Sequence, residues 1–284
     1  MKAQTKVRLR KWRLSITALA VSAILLNVGS IIAAPRKMQN EVPVIFSHGL
    51  PFQRSIGGRL IDDTTYVNVR LFAETLGGTA TESGGATYVV AAGLEMEVRS
   101  GDHYLVANGN YIYVPTGVRT IGDNVYAPVR LLARAFGAAV EWSDALRTAY
   151  IAPLGPNSGP IAPTSYDSDD LYWMSRIISA EARGEPFEGK IAVGNVVMNR
   201  KNDPWHPNTV KDVIFDNRSG VQFTPAYSGA IYNTPSRDCI AAAALALDGV
   251  NVVGEAIYFA QSLNCWAGHN RVNNATIGGH YFFL

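Results

Sequence analysis

A twelve-residue pattern that returns after 60 positions constrains this 284-residue chain more than any other feature. Tyr66-Val-Asn-Val-Arg70-Leu-Phe-Ala73-Glu-Thr-Leu-Gly77 reappears as Tyr126-Ala-Pro-Val-Arg130-Leu-Leu-Ala133-Arg-Ala-Phe-Gly137. Each copy reads as a short strand or turn, then a short helix from Val69 or Val129 that stops at Gly77 or Gly137. β-like runs follow at Thr87–Ala92 and Thr148–Ala152. Between the copies, Leu94–Val98 alternates, with Leu94, Met96 and Val98 on one face and Glu95 and Glu97 on the other. Tyr111–Val114 reads as a further strand, and the Gly and Asn turns between these runs suit hairpins. Two units are too few for a solenoid, so the pattern predicts a compact duplicated β-rich module.

The paired "Y-x-x-x-R-L-(F/L)-A-x-x-(L/F)-G" units resemble the copper amine oxidase-like N-terminal domain, over roughly residues 42–153. Despite that family name, His48 and His103 are the only imidazoles in this stretch, and no cysteine completes a copper set. A stalk or wall-binding module is the reading adopted. Pro153, Pro156, Pro160 and Pro163, interspersed with Gly155, Asn157, Ser158 and Gly159, then mark a linker over 154–167.

Charge has to be read by segment. Lys2, Lys6, Arg8, Arg10, Lys11 and Arg13 precede Leu14, so 19 of the 25 Lys and Arg face 23 Asp and Glu in the rest of the chain. No basic stripe suggests nucleic acid as a partner. The basic cluster runs into the apolar stretch Leu14–Ala34, the pattern of an export signal. Residues 1–34 are therefore read as a signal peptide or, at this length, a membrane anchor. Either way the remainder lies outside the cytoplasm, touching membrane only through that segment if it stays uncleaved. Cys239 and Cys265 are the only cysteines, and a disulfide and two free thiols are both open.

From residue 168 the periodicity becomes helical. Asp167–Gly184 reads as an amphipathic helix with Ser168 as N-cap and Asp169 and Asp170 in the first turn. Leu171, Met174 and Ile178 form its apolar face, and Glu181 comes next on that stripe. A carboxyl at the edge of a core is desolvated, which raises its pKa and suits it to hold a proton as a general acid. A structural pair with Arg183 or Arg200 is the competing account of Glu181. Glu188 fits the first turn of a second helix, Phe187–Asn199, preceded by Pro186, while Glu185 is free to cap that helix or to face Glu181. Ser236–Asp248 reads as an alanine-rich core helix and Glu255–Ala260 as a strand.

"Ile178-Ser-Ala-Glu181-Ala-Arg183-Gly-Glu185-Pro186-Phe-Glu-Gly189-Lys-Ile-Ala-Val-Gly-Asn-Val-Val-Met-Asn199-Arg200" resembles the cell wall hydrolase family of SleB/CwlJ type, the spore cortex-lytic enzymes. "Val221-Gln222-Phe223-Thr", "Ala256-Ile-Tyr258-Phe259" and "Ile277-Gly-Gly-His280-Tyr-Phe" continue the resemblance to the end. It implies a lysozyme-like, mostly helical catalytic domain over 168–284, and so an α+β, two-domain chain. It also implies peptidoglycan glycan strands as substrate, cut between N-acetylmuramic acid and N-acetylglucosamine with Glu181 as the catalytic acid. No cofactor and no metal are called for, and the chain is taken as a monomer in the cell wall or spore cortex. Glu185, Gln222, Phe223, Tyr258, Asn264 and His280 are the candidate substrate-binding residues, with Trp266 a further sugar-binding aromatic. The run Gln261–Asn270 departs from the family pattern, which places the subsites in question. Glycosidases usually need two carboxylates. Asp212, Asp216, Asp238 and Asp248 suit helix surfaces or turns, so a single acid points to lytic transglycosylation. The rival classes are a zinc amidase using His206, His269 and His280, and a non-catalytic wall-binding protein.

Overall fold

The computed structural model describes residues 40–47, 54–153 and 159–284, so the leader and His48 lie outside the described residues. Within them the architecture is mixed, a β-rich N-terminal region followed by a helical domain with one small sheet. None of the described helices is long and apolar enough to cross a membrane.

Strands β1 (Glu41–Phe46), β2 (Arg54–Ile61) and β3 (Thr64–Asn68) lead into helix α1 (Val69–Thr75). Strands β4 (Thr79–Ser83), β5 (Ala86–Ala91), β6 (Leu94–Arg99), β7 (Tyr104–Ala107) and β8 (Asn110–Tyr113) follow as an antiparallel meander, one five-stranded sheet. Next come β9 (Arg119–Ile121), β10 (Asn124–Pro128), α2 (Val129–Ala135), β11 (Ala138–Ser143) and β12 (Thr148–Pro153). These join the first three strands in a seven-stranded sheet of order β11-β12-β1-β2-β3-β10-β9, with β1 parallel to β12. The alternation at Leu94, Met96 and Val98 buries all three side chains in the core between the sheets.

The two sequence copies follow the same local path of strand, seven-residue helix and hairpin. Both repeated arginines tie their helix to the strand after it: Arg70 Nη1 donates to the Ala80 carbonyl at 3.0 Å and Arg130 Nη1 to the Val140 carbonyl at 3.3 Å. The helix ends also match, Gly77 and Gly137 taking φ of 84° and 67°, where glycine carries no Cβ penalty. The copies differ at their starts. Asn68 caps α1 by accepting from the Leu71 N–H, whereas Pro128 offers α2 no side-chain cap.

Past the repeat, the described part of the proline-rich segment, from residue 159, is strapped onto the module rather than standing free. Ile161 N–H donates to the Ala135 carbonyl at 3.0 Å, and Asn108 and Asn110 donate to the carbonyls of Ile161 and Ala162, both at 2.8 Å. Those bonds supply what proline spacing cannot, a fixed path across the surface.

Helix α3 (Ser168–Ala182) is capped by Asp167, not by Ser168: its carboxylate accepts from the N–H groups of Asp169 and Asp170 at 3.0 and 2.9 Å. An aspartate caps as well as a serine does and adds a negative charge at the positive helix end. Helix α4 (Phe187–Asn202) runs back along α3, and Lys201 meets Asp170 at 3.1 Å where the far ends come together. Short helices α5 (Val210–Ile214) and α6 (Thr224–Ser228) precede α7 (Arg237–Leu247), capped by Ser236. Gly194 lets α3, α4 and α7 close on one another, since a Cβ there would stand 2.8 Å from the Ala246 Cβ and 3.1 Å from Ile178 Cδ1. Strand β13 (Tyr258–Ala260), helix α8 (Trp266–Asn270) and strands β14 (Asn273–Ile277) and β15 (His280–Phe283) complete the domain, the strands forming an antiparallel sheet of order β13-β15-β14.

Aromatic packing joins the module to the helical domain. Phe187, the first residue of α4, lies 5.4 Å from the Tyr104 ring, 6.0 Å from His103 and 6.2 Å from Tyr113. Arg237 at the start of α7 bonds Glu97 at 3.0 Å across the same seam. Cys239 and Cys265 are both free thiols, the first buried behind the Ser236 cap and the second accepting the Gly268 N–H.

Candidate active site

Glu181 sits in the last turn of α3, half-buried, directly before the buried Ala182. Its neighbours one and two turns back, Ile178, Ile177 and Met174, are fully buried. Burial alone raises its pKa above the ordinary glutamate range, with no charged group contributing. The arginines that would have made it a structural ion pair are engaged elsewhere. Arg183 donates to Ser179 Oγ at 3.0 and 3.2 Å and to the Thr234 carbonyl. Arg200 donates through Nε to the Ile257 carbonyl at 2.7 Å. No described residue gives Glu181 a hydrogen bond or an ion pair. Such a carboxyl keeps its proton to higher pH than an exposed glutamate does, and no hydrogen bond ties that proton up.

Glu185, four residues on, is the opposite case. Its Oε2 accepts the Gly279 N–H at 2.7 Å, and its backbone carbonyl accepts from the buried Lys190 Nζ. The β14–β15 turn fits around it only because of glycine: Gly278 has φ +58°, and a Cβ there would run into the Glu185 carboxylate. The geometry makes Glu185 a clamp between the α3–α4 turn and the small sheet, with one oxygen already committed.

Two of the predicted sugar-binding residues are core instead. Phe223 is 0% exposed, 6.2 Å from the Phe259 ring with the Arg200 guanidinium 5.2 Å from its own. A ring with no accessible face cannot stack on a sugar. His280 is 1% exposed, its ring 5.2 Å from Phe259, with Nδ1 lacking any partner. Burial pulls its pKa down, against an opposing pull from Glu185. Aromatic faces suit sugar rings only where they are exposed, and long-range packing decides exposure here.

The remaining candidates are accessible and fall into separate groups. Gln222 is half-buried and turns its amide back to the Gly220 carbonyl at 2.9 Å. Asn264 is exposed, and its Oδ1 accepts from His269 Nε2 at 3.0 Å. Tyr258 stands edge-on to Trp266 at 5.5 Å, and Trp266 is 59% exposed. Arg200 and Arg271, which sequence reasoning passed over as binding groups, approach the Tyr258 ring at 5.5 and 5.2 Å. About 20 Å of helix axis separates Phe187 from Arg200, so Tyr258 keeps company with the far end of α4. Not one of the six hydrogen-bonds to Glu181.

The histidines put forward as zinc ligands do not converge. His206 pairs with Asp203 at 3.6 Å, His269 with Asn264, and His280 is buried among phenylalanines. Among the described residues no three His, Cys, Asp or Glu side chains are grouped to hold a metal ion. His103, in the module, hydrogen-bonds through Nδ1 with the Pro115 carbonyl at 3.2 Å and stacks on Phe187.

Residues 184–283 match the family model described as Cell Wall Hydrolase. Over those residues the helical domain is similar to a cell wall hydrolase domain. Residues 55–151 match the Copper amine oxidase N-terminal domain. A spore cortex-lytic enzyme of Bacillus cereus is 37% identical over 103 residues, which are 36% of this chain and 39% of that protein. Another from Halalkalibacterium halodurans is 35% identical over 122 residues, 42% of this chain and 36% of that one. The chain therefore spans about two fifths of the length of these curated relatives. Among solved structures, the catalytic domain of the germination-specific lytic transglycosylase SleB from Bacillus anthracis is 33% identical, covering 43% of this chain and all of that one, with a TM-score of 0.39. The match to the cell wall hydrolase model opens at residue 184, just past Glu181, so that residue's role rests on its own surroundings.

Proposed function

We propose that this chain cleaves peptidoglycan glycan strands between N-acetylmuramic acid and N-acetylglucosamine as a lytic transglycosylase, with Glu181 as acid and then base. One observation carries the reading: a shielded carboxyl with no partner, its pKa raised by burial, in a domain of the cell wall hydrolase family. Glu181 gives its proton to the bridging oxygen as the bond from that oxygen to the muramyl C1 breaks. The resulting carboxylate takes the proton of the muramyl 6-hydroxyl, whose oxygen bonds to C1. An anhydro ring closes, water is not consumed, and Glu181 ends protonated as it began.

A single-acid route is favoured by the condition of the other carboxylates. Asp216 is held by Arg218 at 2.9 and 3.0 Å, which lowers its pKa, and Asp248 accepts from the Tyr166 hydroxyl at 2.7 Å. Asp212 is exposed on α5, Asp238 lies beside the domain seam, and Glu185 is committed to Gly279. Residues 1–34 export the chain, which works as a monomer on cell wall or spore cortex. The module over 42–153 arose by duplication and anchors or spaces the 168–284 catalytic domain, with 154–167 between them; the twin Arg70 and Arg130 bonds support that origin.

Mass spectrometry of digested sacculi tests the reading. Anhydromuramyl ends are expected from the wild-type chain and none from Glu181→Gln. Ordinary reducing muramic acid ends would overturn the transglycosylase step, and release of intact glycan chains from free stem peptides would point to the amidase.

A further inference from the structure

Among the described residues, Arg200 and Arg271 are two of several cations of the cell wall hydrolase domain that form no ion pair. Arg200 is 4% exposed, donates Nε to the Ile257 carbonyl, and leaves Nη1 buried without a partner. Arg271 is exposed, and neither arginine forms an ion pair with any described carboxylate. Asp216, the carboxylate whose charge acts on Arg200, is already engaged by Arg218. Desolvating a charge is costly unless something compensates it. Burial pulls the Arg200 guanidinium down only to about 10, so it stays charged at neutral pH.

Both guanidiniums converge on one ring. Arg200 and Arg271 stand 5.5 and 5.2 Å from the Tyr258 centroid, and Arg271 also lies 5.4 Å from Trp266. Trp266 and Arg271 are open to solvent, and the Arg271 backbone N–H is fixed to the Ala267 carbonyl at 2.8 Å. Aromatic faces hold the guanidinium planes in place while leaving their N–H groups free to bind an anion. A carboxylate is the anion that a guanidinium fork grips in two-point fashion.

We infer that Tyr258, Trp266 and Arg271, backed by Arg200, form a subsite for the carboxylates of the peptide stems that a glycan strand carries. The inference rests on the peptidoglycan reading above and adds to it what is recognised besides sugar. The shelf holds no acid of its own to move a proton, so it acts on binding.

The test is co-sedimentation of the full chain with purified sacculi, either native or with their carboxyls amidated by carbodiimide and ammonia, with soluble fragments measured in the same tubes. The wild type is expected to bind native walls about tenfold more tightly than amidated ones, the worth of one charge-assisted contact. Arg271→Gln should lose that preference. Lys211→Gln, which removes the same charge from an exposed position on α5, should keep it. Equal binding to both walls by the wild type, a preference retained in Arg271→Gln, or one equally lost in Lys211→Gln would overturn the subsite. Fragments released without any carboxyl preference sink the subsite and leave the cleavage reading intact. Carboxyl-dependent binding with no fragments does the reverse.

Discussion

The module and the cell wall hydrolase domain treat their buried polar groups differently. In the module, the Tyr66 hydroxyl, at the heart of the seven-stranded sheet, has Thr116 Oγ1 at 2.7 Å and the Gly117 carbonyl at 2.9 Å. Half-buried Asn108 likewise uses its amide on the carbonyls of Gly93 and Ile161 while its oxygen accepts the Glu95 N–H at 2.8 Å. Thr87 Oγ1 and Arg99 Nε are the module's exceptions. The hydrolase domain instead keeps Glu181 without a partner, along with Arg200 Nη1 and His280 Nδ1. A polar group that is satisfied internally contributes to stability, whereas one left unsatisfied lowers it and stays free for a ligand. On this comparison the module is built to last and the hydrolase domain to act.

Substitution at one site in each region can break that contrast. Glu181→Gln keeps the side-chain shape and removes the transferable proton. Loss of a positioned acid costs roughly 100- to 10,000-fold in rate, and melting should not fall, because no contact is lost. Wall-turbidity clearance and a thermal melt on the same preparation read both. A melting temperature lowered along with the rate would make Glu181 a structural residue. The counterpart is Tyr66→Phe, which strands Thr116 and Gly117 and should cost about 1–3 kcal/mol in urea titration. Its rate per folded molecule should match the wild type. A rate loss there would mean that the module takes part in cleavage.

What the sequence revealed and what it hid divide along the range of the interactions. Alternation at Leu94, Met96 and Val98, the Gly77 and Gly137 stops, and the helix around Gly194 are local signals, and each is where periodicity placed it. Glu181 was legible for the same reason, as the next step on the stripe of Met174 and Ile178. Contacts made across the chain were not. Glu185 is clamped by Gly279, 94 positions away, and Phe223 and His280 are buried against Phe259, a ring from a separate segment of the chain. The β1–β12 parallel pairing and the docking of Phe187 against Tyr104 likewise depend on residues too distant for any pattern. In the sequence Arg200 is a candidate partner for Glu181, and only the packing of Phe223 and Tyr258 reveals a cation buried beside those rings instead.

The smallest effect follows from the same unpartnered carboxyl and concerns stability. Burial raises the Glu181 pKa in the folded chain above its value in the unfolded chain. Folding therefore takes up a proton over the window between those two values, and the associated stability is fully present below the ordinary glutamate range. It is lost as pH rises through the raised, folded value. Gln does not titrate, so wild type and Glu181→Gln should have equal pH slopes in acid. The wild type should then fall behind as pH climbs, and the gap should level off once the carboxyl is ionised in both states. Urea midpoints of the two proteins from about pH 3 to about pH 8 would trace this difference. The cleavage rate, which needs the protonated acid, should hold while the gap opens and decline as pH passes the raised, folded value, where the gap levels off. Parallel midpoint curves would mean that Glu181 faces water like any surface glutamate, and the hydrolase domain would lose the property that sets it apart from the module.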